Sequence, residues 1–193
     1  RELRDMSSNQ IKEKYGIVGL RILNELKGKL CIPINETLSD RKQICVSRSL
    51  SDPIDSLEEL RQIIIKYVLI ASAKLRKYYQ LSSAITVFAN TYSHSKDFFK
   101  SVATGKISVP TSNSKIMIEK SLSLTKEIFK PYKKFIKAGV ILHKLQSNKY
   151  KQNLLFDAQN TYEEELYLQR LDHIIDNINA KNGIDTINWG SSM

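Results

Sequence analysis

Eight side chains, Ser47, Arg48, Ser49, Thr86, Lys106, Ser108, Lys133 and Lys137, set small hydroxyls beside long cations in or next to stretches of alternating apolar and polar residues. Hydroxyl and ammonium groups donate hydrogen bonds to phosphate oxygens but do not discriminate base edges. A surface built from them would follow a nucleic-acid backbone without reading its sequence. The bland alternative is a solvated sheet face of the ordinary kind. A second group, Gln152-Asn153-Leu154-Leu155-Phe156, places three large apolar residues in a polar region. Such a cluster needs burial, and a partner pocket that takes Leu154, Leu155 and Phe156 while Gln152 fixes the register would supply it. Folding back on its own domain would also do so.

No catalytic constellation accompanies these groups. His94, His143 and His173 are scattered, and the 7 glycines are too dispersed to form a phosphate-cradling loop. Cys31 and Cys45 are too few for a disulfide framework and show no zinc-site spacing. Both read as reduced thiols of a cytoplasmic protein. No apolar run approaches the roughly 20 residues of a membrane span, so no membrane partner is expected. Neither a metal nor a cofactor is expected within this chain.

Charge is consistent with the first reading, although solvated lysines on a helix would give the same count. Residues 1–150 hold 27 Lys and Arg against 13 Asp and Glu, a net of +14, whereas residues 151–193 hold 3 against 7, a net of −4. The basic body would attract a polyanion through counterion release. Hydrophobic residues at 41% and charged residues at 26% give the balance of a globular protein with one main core.

The elements that must position these residues follow from periodicity. Ser7 and Gln10 have the form of a capping box, and Ile11, Tyr15, Val18, Ile22 and Leu26 follow at helical steps until Gly28. The segment from about Leu30 to Lys42 has Pro33 and no period, and reads as a linker. Alternation from Ile44 to Leu50 predicts a strand closed by Asp52-Pro53. A helix from Ser56 to about Tyr79 follows, with Leu60, Ile64, Tyr67, Val68, Ala71 and Leu75 on one side and Glu58 and Glu59 in its first turn. Strands over 84–92 and 104–109 come next, then a helix capped by Ser112 and ended by Pro131, with Ile118, Leu122, Thr125 and Phe129 along it. A last strand runs from 134 to 145. In the acidic tail, Leu168, Leu171, Ile175 and Ile178 make a short stripe that ends near Asn182-Gly183, a marginal helix that docks on a partner or on its own domain.

This order defines an α+β, ferredoxin-like βαββαβ domain, with two helices covering one face of a four-stranded sheet. If Ile85, Val87, Ala89, Ile107, Val109, Ile136, Val140 and Leu142 face the helices, pleating sends Thr86, Asn90, Thr104, Lys106, Ser108, Lys133 and Lys137 to the open face, joined by Ser47 and Ser49, with Arg48 at its edge. Phe88 is the one aromatic expected there. An RNA-reading sheet of this topology would show more stacking aromatics. An RNA-binding module and a protein-interaction adaptor are therefore the rival readings.

Several stretches, in order, resemble the UmuC-like Y-family translesion DNA polymerases: Leu26-Lys27-Gly28, Cys45-Val46-Ser47-Arg48-Ser49, Ala73-Lys74-Leu75-Arg76, Val109-Pro110-Thr111, Lys137-Ala138-Gly139-Val140, Gln152 to Phe156 with Asp157, and Asn179-Ala180-Lys181 with Gly183. Leu50 departs from the phenylalanine usual in the family, and the chain ends at Met193, before the further residues many members have. The resemblance implies the end of a thumb domain at 1–29, a linker at 30–42, a little-finger DNA-binding domain at 43–150, and a clamp-binding motif with a C-terminal tail at 151–193. It further implies DNA repair in the SOS response, with primer-template DNA and the sliding clamp as partners, and with UmuD′ and the recombinase filament as further partners not assignable to residues. The catalytic carboxylates and their magnesium would belong to a palm domain preceding Arg1, so this chain alone is expected to be inactive.

Overall fold

The computed structural model describes residues 2–32, 41–92, 98–148, 159–183, 186–187 and 189, and the chain divides into two compact units, 1–40 and 41–193. In the first unit a short helix α1 (Glu2–Asp5) precedes α2 (Ser8–Leu26). The capping box is present in full: the Gln10 backbone N–H donates to Ser7 Oγ at 3.3 Å, and the Ser7 N–H donates to Gln10 Oε1 at 3.1 Å. At the other end Gly28, with φ 80, allows its N–H to reach the Glu25 carbonyl and the Lys29 N–H to reach that of Asn24, the paired bonds of a Schellman motif.

The uniform apolar stripe expected of α2 is not what the chain forms. Gly16 takes φ 65 and ψ −159, outside the helical region. The turns after it are therefore out of phase with those before it. Ile11, Gly19 and Leu23 are buried, while Tyr15, Val18, Ile22 and Leu26 are exposed.

The second unit contains β1 (Ile44–Ile54), α3 (Leu57–Lys77), β2 (Gln80–Asn90), β3 (Lys100–Thr111), α4 (Ser114–Ile128), β4 (Phe135–Ser147) and α5 (Gln159–Asn182). The strands form one antiparallel sheet in the order β1-β4-β2-β3. Both βαβ units are thus split: β4 lies between β1 and β2, and β2 lies between β3 and β4. The helices α3 and α4 cover one face and bury Leu60, Ile64, Val68, Leu75, Met117 and Ile128 against Ile85, Val87, Val140 and Leu142.

Details of the expected pattern change for identifiable reasons. β1 runs through Asp52-Pro53 rather than closing there, because the register shifts between Ser49 and Ile54 and Ile54 then pairs with Phe135. Proline is tolerated there because β1 is an edge strand. The same shift gives Phe135, rather than Ile136, to the core, where its ring lies 6.2 Å from that of Phe129. Val109 is only half-buried, since it falls in a second register shift opposite Ser82 to Ala84. The cap of α4 is Asn113, whose Oδ1 accepts from the Ile116 N–H at 3.1 Å, and Ser112 gives its carbonyl to Arg76 instead.

The tail helix docks on its own domain. Arg76 donates from Nε and Nη2 to the two carboxylate oxygens of Asp176 at 2.5 and 2.8 Å, and its Nη1 lies 3.2 Å from Asp172 Oδ2. That same oxygen accepts from the Ser114 N–H at 3.0 Å, so a carboxylate from α5 completes the first turn of α4, where the helix dipole favours it. Trp189 donates to the other Asp172 oxygen at 3.2 Å.

Candidate nucleic-acid interface

The register fixes the open face in rows that cross the sheet. His143, Ala84 and Lys106 form one row; Cys45, Ile141, Thr86 and Thr104 the next; Ser47, Gly139, Phe88 and Val102 the third; and Ser49, Lys137, Asn90 and Lys100 the fourth. No residue in these rows is acidic. The two outer rows are cationic, and the row through Phe88 and Val102 is apolar.

Gly139 is what allows the third row to close. A Cβ there would lie 2.8 Å from the Val46 carbonyl oxygen, and it would also collide with the side chains of Ser47 and Phe88. The Phe88 ring therefore rests over bare backbone in the strand next to it. Beside it, Thr86 Oγ1 shares a hydrogen with Thr104 Oγ1 at 2.7 Å and with His143 Nε2 at 2.9 Å. This knot ties β2, β3 and β4 together across the face.

The structure brings together Ser47, Ser49, Lys106 and Lys137 from the eight candidates, and separates the other four. Arg48 lies opposite Ala138, on the helix-covered side of β1, because alternation in the strand places it with Val46 rather than with Ser47. There it is close enough to the Tyr67 hydroxyl to oppose the upward push that burial gives that group. Thr86 is on the open face but only 6% exposed, its hydroxyl spent on Thr104 and His143. Lys133 belongs to the turn before β4, with its Nζ 5.8 Å from the centre of the Phe99 ring. Ser108 sits in the β3 register shift and, with Lys106, Glu119 and Lys120, lines an open groove between β3 and α4.

Two members of the face escaped the sequence reading. Lys100 falls ahead of the strand expected over 104–109, because Val102, an apolar residue on the open side, hides the alternation that begins β3 at Lys100. His143 looked isolated, although its place two residues beyond Ile141 gave it to the same side as Lys137. The segment 152–156 lies outside the described residues. Among the described residues no helix is long and apolar enough to cross a membrane.

A sheet face of this kind, carried by a split βαββαβ domain, defines a class for which comparison supplies the family. The family model described as "impB/mucB/samB family C-terminal domain" matches residues 41–155, and this chain belongs to that family. It is 27% identical over 188 residues to Protein UmuC of Salmonella typhimurium, covering 96% of this chain and 44% of that protein. It is 31% identical over 159 residues to Protein MucB of Escherichia coli, covering 81% of this chain and 37% of that one. The chain thus spans less than half the length of these curated relatives. Among solved structures, a chain of an insertion ternary complex of Dbh DNA polymerase is similar with a TM-score of 0.44 and 17% identity, over 76% of this chain and 41% of that chain.

Proposed function

We propose that this chain is the DNA-gripping C-terminal region of an error-prone translesion DNA polymerase that acts in SOS repair in the cytoplasm, and that it holds primer-template backbone on the open sheet face. The observation that carries this reading is the arrangement of the rows. Lys106 and His143 stand at one end and Lys100 and Lys137 at the other, with no acidic residue between them. Six residue steps along β2, from Ala84 to Asn90, separate the cationic rows. At about 3.3 Å per residue this is roughly 20 Å. A major groove about 12 Å wide, plus the backbones that flank it, has a comparable span. Small hydroxyls and the Phe88 and Val102 side chains between the cations offer van der Waals contact and no base-specific pattern. Such a grip tolerates a distorted base because its contacts are to phosphates.

The reading extends to a tether. Gln152, Leu154, Leu155 and Phe156 would bind a sliding clamp and keep the polymerase near the primer end, offsetting a weak grip by raising its local concentration. Polymerisation itself, with magnesium held by palm carboxylates, and any contact with UmuD′ or a recombinase filament belong to the whole protein rather than to groups assigned here.

Fluorescence anisotropy of labelled primer-template tests the grip. The expected result is an affinity that falls linearly on logarithmic axes between about 50 and 200 mM salt, stays level when the sequence is permuted, and exceeds that for single-stranded RNA. Affinity that is flat in salt, or that follows a particular base, would remove the mechanism. Calorimetry with a bacterial sliding clamp tests the tether: binding should disappear in Leu155→Ala/Phe156→Ala.

A further inference from the structure

The helix α4 stops at Ile128, and the chain reverses through Lys130-Pro131-Tyr132-Lys133 before β4 begins. The Lys133 N–H donates to the Lys130 carbonyl at 3.3 Å, which closes a four-residue turn. Proline occupies its second position, and the third, Tyr132, has φ 69. Proline followed by a residue of positive φ marks a type II turn, in which glycine is the favoured third residue because any Cβ is crowded there. A tyrosine at this position therefore costs the fold stability.

Among the described residues the fold receives no packing in return. Tyr132 is 101% exposed, so no described residue covers its ring. Its surroundings point to one kind of ligand. Between residues 128 and 138 the sequence has four lysines, Lys130, Lys133, Lys134 and Lys137, and no Asp or Glu. Lys130 and Lys134 flank the tyrosine in the exposed part of the turn. Lys133 reaches over Phe99, the residue before Lys100, and so ties the turn to the start of β3. Lys137, a short way along β4, stands in the same cationic row as Lys100. The exposed ring is thus placed at one end of the proposed phosphate-holding face.

We propose that Tyr132 is a stacking platform for an unpaired nucleotide of DNA that continues beyond the duplex held on the sheet, with Lys130 and Lys134 holding the phosphates on either side. This rests on the DNA-gripping reading above. Bases inside a duplex have both faces covered by their neighbours, whereas an unpaired base offers a face to an aromatic ring of any sequence context. A strained, uncovered tyrosine amid lysines is suited to that contact. The hydroxyl takes no part, so phenylalanine should serve as well.

The test compares binding of the chain to a blunt duplex and to the same duplex carrying a single-stranded extension, by anisotropy at one salt concentration, alongside the thermal melting of the free protein. Wild type should favour the extended DNA. Tyr132→Gly should lose about tenfold in affinity for the extended DNA, keep its affinity for the blunt duplex, and melt no lower than wild type because glycine relieves the turn. Tyr132→Phe should keep the preference. Equal binding of extended DNA by wild type and Tyr132→Gly, or no preference for the extension in wild type, would overturn the platform while leaving the sheet grip standing. A wild-type chain that binds neither DNA would overturn both.

Discussion

Arg76 of α3 and Asp172 of α5 approach to 3.2 Å in a site where the aspartate is only 1% exposed, and the same carboxylate caps the start of α4 through the Ser114 N–H. One residue of the tail thus meets two helices of the domain. The Arg76 fork on Asp176, one turn further along α5, adds geometric specificity to the contact.

Removing the arginine leaves Asp172 buried without its cation. Arg76→Ala is expected to lower stability by about 3–5 kcal/mol, the range for breaking one side of a buried pair. Amide exchange over residues 166–182 should accelerate well before the sheet strands open. Urea denaturation and hydrogen exchange measure the two effects, and exchange that stays slow in α5 would mean that the burial of Leu168 and the packing of Trp189 on the core hold the helix alone.

Gly139 is expected to resist the smallest enlargement. Gly139→Ala sets a methyl against the Val46 carbonyl oxygen, the Ser47 side chain and the Phe88 ring. Overpacking of this kind costs about 1–3 kcal/mol. The loss should be partly recovered by adding Phe88→Leu, which takes the ring away but not the carbonyl. Thermal melting of the single and double variants checks this, and a Gly139→Ala protein as stable as wild type would show that β1 and β4 can separate at no cost.

Burial holds the Tyr67 hydroxyl above its ordinary value of 10.0, with Arg48 and Lys66 pulling the other way. Well below pH 10.0 the tyrosine is protonated whether folded or unfolded, and its contribution is constant. As pH rises beyond that, the unfolded chain releases the proton first, so stability falls. Tyr67→Phe removes the hydroxyl and should flatten the decline in denaturation midpoints above this pH. A decline of equal steepness in both proteins would assign it to other groups.

Much of this architecture can be read from pattern alone, because the core positions Leu60, Ile64, Val68, Ile85, Val87 and Val140 keep strict helix or strand periods. The order of elements follows from that alternation. What pattern does not carry is register: the shifts near Ser49 and Ser82 move Phe135 inward and leave Val109 half-buried, and a one-residue slip changes which face a side chain occupies. Arg48 is a different case, since plain alternation from Val46, ahead of the shift, already places it on the helix-covered side. Docking of the tail helix on its own domain was one of the two outcomes its apolar stripe allowed, but the contact that makes it was beyond reach, since Arg76 is about 100 residues from Asp172 and Asp176 and no local period links them.

The face assignment of Arg48 gives the sharpest test of the proposed grip. Lys100 and Lys137 point from the open face, so each alanine substitution should remove one phosphate contact and reduce the slope of log affinity against log salt by about 0.9. Affinity should drop to a similar degree for unrelated duplex sequences, because neither side chain reads a base. Arg48, equally cationic but on the helix-covered side, should leave the slope unchanged when replaced by alanine. Titrations of the three variants across a salt series decide the matter. A slope that falls with Arg48→Ala and not with Lys137→Ala would put the DNA on the wrong side of the sheet for this mechanism, whereas the opposite result ties binding to the row that joins Ser49, Lys137, Asn90 and Lys100.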